Sequence, residues 1–451
     1  MRHAIAALPL LLLVLSPSRP TTAEPRPVAR MVGDRVTADD STLLSYTVDS
    51  VRVIQRLTPA TGVVAVNIYL LGGSRQLTPA TQGIEAMILS ASRYGTRSHP
   101  DTTFRMAWAT TGSFVESDIT SDWTMLGFRG VPTAFDASFD LIGERLTQAT
   151  FGEVGVMAAR ARLLSALRRL RGSPDGEASL VADSVAFAGH PYALAPYGTE
   201  ASLAAIDSAT MAQYQQAQTN KSRLLVVVAG AATRAMVEGA VRRSFASLAV
   251  GTYTWTPPPP APPHKATVTM LPRTVATNYI IGVFDGPPET NGDYPSFQAA
   301  TGYLGARITE AVREKRGLSY AASASVSDRA TVTGVLYVST SRPDTVLRLI
   351  REQLAFITNP DSLPAGYSFT TDKNSLSNLS RRATSSAQVE ALAHAEILQG
   401  DYRLANEQPR RMRTVSSSSV RRAAVTYLRD IRFIYVGDTT QVKRAAFESK
   451  R

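Results

Sequence analysis

A proline run near the middle of the chain, TPPPPAPP at residues 256–263, constrains the fold more than any other feature. Proline fixes φ and offers no backbone donor, so this run is a stiff extended spacer that enters neither a helix nor an inner strand. Similar patterns stand on either side of it. Residues 222–230, SRLLVVVAG, read as a continuous apolar strand followed by a helix over 234–248. Near the C-terminus residues 431–437, IRFIYVG, read the same way and precede a helical tail containing 442–447. Each ending follows a helix with spaced apolar residues, at 211–217 and 420–428. Strand runs followed by helix runs imply an α+β layered fold rather than a doubly wound sheet. The recurrence implies duplication.

In the first half, the pattern predicts strands at 63–71 and 104–109, with at least one more within 114–128. Helices are predicted at 82–93, 134–149, 153–171 and 178–187. In the second half, strands are predicted at 266–271, 278–283, 319–326 and 334–340, and helices at 294–304, 307–316 and 344–357. Residues 360–400 carry no pattern beyond that expected of helices.

The N-terminus reads as an address. Arg2 and His3 precede a short apolar run, 4–15, and small residues follow at Thr21, Thr22 and Ala23, the layout of a secretory leader cleaved after Ala23. The run falls short of the ~20 apolar residues of a membrane span, and no later segment is apolar enough to be one. The expected organisation is a leader at 1–23, one domain at 24–255, a linker at 256–264 and a second domain at 265–451. The expected location is outside the cytoplasm, in a bacterial periplasm. The chain has no cysteine, which removes disulfides, thiolate catalysis and cysteine-based zinc sites. The net charge of +11 is spread along the chain without an aromatic-interleaved basic cluster, so nucleic acid is not an expected partner.

Residues 73–96 read GSRQLTPATQGIEAMILSASRYGT. This segment resembles the start of the insulinase/pitrilysin family of metallopeptidases, where a Gly-Ser-Arg strand end leads into a helix of the form G-L-A-H-F-L-E-H-M-L-F-K-G-T. Setting Gly83 on the first glycine brings Gly95 and Thr96 onto the closing pair. The H-x-x-E-H positions then fall on Ala86, Leu89 and Ser90. That motif works because two histidines four apart share one helix face and hold zinc, while the glutamate serves as general base. Ala86, Leu89 and Ser90 supply neither imidazole nor carboxylate, while Ile84, Met87, Ile88 and Ala91 keep a core-facing stripe. The family's third ligand, a glutamate on a later long helix, aligns with Ala166, and no acidic residue lies between Val154 and Ser173. The chain itself is expected to hold no zinc at these positions, nor any other cofactor.

No other hydrolase constellation replaces it. Beyond the leader the histidines are His99, His190, His264 and His394, none closely spaced, and they are read as surface or capping residues. There is no G-x-S-x-G elbow and no Ser-x-x-Lys. His190 lies in GHPYALAPYGTEASLAAI, which resembles a structural stretch of the family.

Residues 304–326, LGARITEAVREKRGLSYAASASV, resemble the family's R-L-x-x-x-L-R-E-K-R-G-L-A-Y-S segment. There an arginine and a tyrosine seven residues apart reach across and hold the substrate peptide. Here they are Arg313 and Tyr320. Gly317 suits a left-handed helix cap, placing Arg313 in the last turn and Tyr320 at the opening of the next strand. A guanidinium binds a carbonyl by charge-assisted hydrogen bonds, and a phenol donates to a developing oxyanion. Residues 110–128 resemble the glycine-led strand of relatives that ends near an aspartate, here Asp122, and pairs with an extended substrate. Phe114, Val115, Glu116 and Ser117 are the expected pairing stretch.

The resemblance covers residues 47–437 and implies two similar domains, each a mostly antiparallel sheet with helices packed on one side. This is the fold of LuxS- and mitochondrial-processing-peptidase-like metallohydrolases. It also implies a non-catalytic partner subunit: a zinc-bearing homologue would supply the metal, and this chain would supply Arg313 and Tyr320 to a shared peptide substrate. The alternative is a structural or peptide-binding scaffold with no catalytic partner.

Overall fold

The computed structural model describes residues 37–40, 42–359 and 384–448; the expected leader lies outside them, as does the first part of the uninterpreted 360–400 stretch. Strands β1 (Thr37–Asp40), β2 (Leu43–Val48), β3 (Val51–Leu57), β4 (Val64–Leu71), β5 (Phe114–Ile119), β6 (Trp123–Gly130) and β7 (Leu224–Gly230) form one sheet in the order β1-β2-β3-β7-β4-β6-β5. Strands β8 (Thr267–Pro272), β9 (Asn278–Asp285), β10 (Ala322–Val326), β11 (Thr333–Thr340) and β12 (Arg432–Gly437) form the other, in the order β10-β11-β9-β12-β8. Without the β1–β2 extension the two orders coincide, β3 matching β8 and β5 matching β10. Each sheet is antiparallel except for one parallel pair, β3 with β7 and β8 with β12. The repeat inferred from the two chain endings is thus a repeat of whole-sheet connectivity.

In the first half the helices are α1 (Ile84–Ala91), α2 (Thr102–Thr111), α3 (Phe135–Thr147), α4 (Glu153–Gly172), α5 (Pro174–Ala186), α6 (Glu200–Ala205), α7 (Ser208–Gln218) and α8 (Arg234–Phe245). The second half has α9 (Tyr294–Ile308), extended by a π-turn over Thr309–Glu314, and α10 (Pro343–Thr358). The longer helices Ser385–Gln399 and Ser417–Tyr427 follow. One expectation is corrected. Residues 104–109 are not a strand but part of α2. Phe104, Met106 and Trp108 alternate like a strand, yet Phe104 and Thr111 are buried, Trp108 is half-buried between them, and Met106 is 60% exposed. The spacing 104, 108, 111 is one face of a helix. The β2–β3 hairpin was not foreseen. Its two-residue turn, Asp49–Ser50, has positive φ at both positions, a primed-type turn without the usual Asn-Gly or Asp-Gly signal.

The apolar runs of the central strands follow from burial on both faces. In β4 and β7, Val64, Val66, Ile68, Val226 and Val228 point into one core with α1, α3, α4 and α8, while Ala65, Tyr69, Leu225, Val227 and Ala229 point the other way. Their second cover is the helix Ser385–Gln399, through Val389, Leu392 and Ala393, delivered from the far half of the sequence. The other sheet shows the mirror arrangement. Ile281, Val283, Ile434 and Val436 are covered by Ala178, Ala182, Ala186 and Phe187 of α5 and its end, from the first half. The three alanines, four residues apart, let α5 lie close against β9 and β12. Leaving those four strand side chains in water would forfeit on the order of 10 kcal/mol. Each half thus closes the sheet of the other.

Polar contacts complete this seam. Asp122, 1% exposed in the β5–β6 turn, accepts from the Tyr192 hydroxyl at 2.6 and 2.7 Å and from the Ala330 amide at 3.1 Å, in the β10–β11 loop. Arg75 Nε stands 3.5 Å away. Burial pushes the Asp122 carboxyl above its ordinary range, and the Tyr192 and Ala330 hydrogen bonds oppose the rise. His190 accepts from the Tyr192 amide through Nδ1 at 3.1 Å, so its Nε2 carries the proton toward the Pro259 carbonyl at 2.8 Å. The capping role expected of His190 is observed. Because Tyr192 and Asp122 spend their polarity on each other, removing the hydroxyl in Tyr192→Phe is expected to cost about 1–3 kcal/mol in urea unfolding. Asp122→Ala combined with Tyr192→Phe is expected to cost clearly less than the sum of the singles. Strict additivity would show that the two residues act separately.

Candidate functional site

The helix onto which the resemblance sets the H-x-x-E-H positions is α1. Gly83 caps α1 in the left-handed region (φ +86°), and a Cβ there would meet the Gly198 Cα at 2.6 Å, so glycine is required on both counts. α1 packs on α4, which brings Ala86, Leu89 and Ser90 to the helix that carries Ala166. Ala86 and Leu89 are buried in the first-half core, while Ser90 and Ala166 are half-buried. Two methyls, an isobutyl group and one hydroxyl hold no zinc, so these residues do not fit the metal of the family.

The polar group of α1 is instead Glu85, which sequence reasoning passed over although it is the one acid in an apolar helix. Its side chain is 2% exposed. The Tyr214 hydroxyl donates to Oε1 at 2.6 Å, Thr124 donates to Oε2, and Arg223 Nη2 stands 3.4 Å from Oε1. Arg223, itself 1% exposed, also donates to the Leu71 carbonyl at 2.8 Å and to Gln218. Burial, then the neighbouring Glu85 charge, holds the Tyr214 hydroxyl far above its usual range, so it stays a donor. This buried network pins α1 to β6, α7 and the start of β7.

Arg313 and Tyr320 lie on the surface of the second half. The π-turn after α9 closes with Lys315 N–H on the Glu310 carbonyl and Gly317 N–H on the Arg313 carbonyl, both at 2.9 Å, with Gly317 at φ +60°. That is the left-handed cap foreseen from the sequence. Lys315 pairs with Glu310 at 2.7 Å and Arg316 donates to the Ala311 carbonyl at 2.8 Å, so both serve the helix end. Arg313 does not. Its guanidinium sits 5.4 Å from the centre of the Tyr320 ring, which is 87% exposed. Among the described residues this stack is the only side-chain interaction of the pair. Strand β10 begins at Ala322, two residues after Tyr320.

β5 is the outer strand of its sheet, so its unpaired edge is free of other strands. Phe114 is 75% and Val115 39% exposed; Ser117 is exposed, and Glu116 is half-buried and ion-paired with Arg129 on β6. β10 is the matching outer strand of the second sheet. The loops that follow these two edges are the ones joined through Asp122 and Ala330. Near the end of β5, burial raises the Asp118 carboxyl, and burial together with Asp118 pushes the Tyr197 hydroxyl up to about 12.

Residues 205–361, roughly a third of the chain, match the family model described as the peptidase M16 inactive domain. The match contains the Arg313–Tyr320 segment. No curated protein matches in sequence. Among solved structures, the chain is similar to a peptidase M16 inactive domain from Pseudomonas fluorescens (TM-score 0.80, 15% identity, 88% of this chain and 98% of that one). It is similar to a protease from Helicobacter pylori (0.75, 16%, 88% and 99%). It is also similar to the periplasmic protease PqqL of Escherichia coli (0.71, 15%), matching 97% of this chain but 49% of that protein. At these identities the structures show a shared fold. The insulinase-type resemblance seen in the sequence is borne out, and the family matched is its inactive branch.

Glu85→Ala would strand the buried Arg223 charge and is expected to destabilise the chain by about 3–5 kcal/mol, read as a lowered urea midpoint. A loss below 1 kcal/mol would show that water reaches Arg223.

Proposed function

We propose that this chain is the non-catalytic, substrate-binding subunit of a heteromeric zinc metallopeptidase that degrades peptides. A zinc-bearing homologue would provide the metal, and this chain would provide Arg313 and Tyr320. The observation that carries this reading is the exposed, mutually stacked pair on a capped helix end, spent on no ion pair or hydrogen bond among the described residues. A structural arginine–tyrosine pair would be expected to bury its ring or satisfy its donors. Here both donors face solvent, where a second chain or a peptide can meet them. The Arg313 fork would bind a substrate carbonyl. The Tyr320 hydroxyl would donate to the scissile carbonyl oxygen as negative charge develops on it.

The free edge of β5 suits an extended peptide, since main-chain pairing needs unpaired amides and carbonyls more than particular side chains. Phe114, Val115 and Ser117 would flank such a strand; Glu116, held by Arg129, would contribute mainly through its backbone. The periplasmic location of PqqL and the expected leader point to the same compartment for this chain.

The purified chain is expected to cleave no peptide alone and to raise the activity of a co-expressed zinc-bearing homologue. In that complex Tyr320→Phe is expected to lower kcat by roughly 10²–10³-fold with assembly intact by gel filtration. An unchanged rate would reassign Tyr320 to packing between subunits. Failure of any such homologue to associate would leave the scaffold reading in its place.

A further inference from the structure

Three side chains distant in sequence converge at the seam between the halves. Glu289 lies in the segment after β9, Asp328 in the β10–β11 loop, and His394 on the helix Ser385–Gln399. One ligand atom from each lies within 4.8 Å of the others. His394 Nε2 is 3.5 Å from Glu289 Oε1 and in contact with Asp328 Oδ1. The Glu289 side chain is 1% exposed, that of His394 17% and that of Asp328 43%. The reading of His394 as a bland surface or capping residue therefore does not hold.

The Glu289 side chain is almost wholly buried, and a bound cation would offset the desolvation of its charged form, which costs several kcal/mol per ion. A second observation comes from Gln399, one helical turn beyond His394. Its Nε2 donates to Glu289 Oε2 at 2.9 Å, while its Oε1 is buried and accepts no hydrogen bond. An orphaned buried acceptor beside a ligand set is what a metal-bound water would satisfy.

We infer that Glu289, Asp328 and His394 form a divalent transition-metal site of the zinc class, apart from the lost positions Ala86, Leu89, Ser90 and Ala166. Two ligands bonded to zinc at tetrahedral angles stand roughly 3.3–3.6 Å apart, and the His394–Glu289 separation falls there. An imidazole donor selects zinc over calcium or magnesium, which take oxygen shells. Three protein donors leave a fourth position for water. The exposed Asp328 gives the ion an entry path. The helix that carries His394 is seated on the first sheet, whereas Glu289 and Asp328 belong to loops of the second. A bound ion therefore ties the crossing helix, seated on the first sheet, to the loops of the second sheet. This inference stands apart from the peptidase reading, since its test uses the chain alone.

The untagged full chain, stripped with chelator and dialysed against zinc chloride, is expected to retain one equivalent of zinc by elemental analysis. Its X-ray absorption signature should show one imidazole with oxygen ligands, and its Tm should rise on zinc addition. Asp328→Asn, at the most exposed ligand and so least able to upset folding, is expected to weaken zinc binding at least roughly tenfold and to abolish the Tm rise. His394→Gln should do the same. Absence of zinc from the wild-type chain, or binding by Asp328→Asn equal to wild type, would overturn the site. A shell without imidazole would mark an adventitious ion and overturn it too.

Discussion

Neither sheet can cover both of its faces with helices from its own half, and the rest of the structure follows from that. β4, β7, β9 and β12 carry apolar side chains on both faces, so each needs a second cover. The chain meets the need by exchange: α5 crosses to the second sheet and the helix Ser385–Gln399 crosses to the first. The two crossings are equivalent under the repeat, each helix lying over the pair of central strands that corresponds to the other's. A half cut away at the proline run would expose an apolar face on each fragment, so cooperative folding of the whole described chain follows from packing alone.

The exchange also decides where polar groups gather. Two loops that follow outer strands, one from each sheet, meet at the seam, and the contacts there are directional: Tyr192 to Asp122, Ala330 to Asp122, His190 to Pro259, and Arg329 to Asp183 at 2.9 Å. Apolar exchange supplies the bulk of the stabilisation, while the buried hydrogen bonds fix the relative setting of the halves, because an imperfect fit leaves a desolvated acceptor unpaired. The free strand edges are thereby held in a defined relation, as any site built between the two sheets requires.

Much of this was legible in the sequence wherever one local pattern had one structural solution. The segments LLVVVAG and RFIYVG announced their strands, the proline run announced the spacer, and Gly317 announced the cap that displays Arg313 and Tyr320. Alternation misled where a short helix placed Phe104 and Trp108 four apart with Met106 between them. A one-residue periodicity cannot separate the two periods over six residues. The Asp122 clasp, the Glu85–Arg223 pair and the Glu289–Asp328–His394 convergence were not legible, because their partners lie up to about two hundred residues apart and meet only through the tertiary fold. A lone acid in an apolar helix was the one local trace of any of them.

Two of the positions that the resemblance aligns with a metal site, Ala86 and Leu89, are part of the apolar core. Imidazoles and a catalytic carboxylate at the positions of Ala86, Leu89 and Ser90 would demand solvent or metal to offset their desolvation. Ala86 and Leu89 remove that demand and join the apolar cluster with Leu163 and Leu167 of α4. The polarity of α1 lies at Glu85, where Arg223, Tyr214 and Thr124 satisfy it. Placing an H-x-x-E-H motif on α1 would therefore require more than the three motif residues. It would displace Leu89 from its packing, leave Ala166 without a carboxylate to complete the set, and place new charge beside an ion pair already balanced. These residues are mutually supporting, and α1 serves the fold of the first half through apolar packing and the Glu85 network.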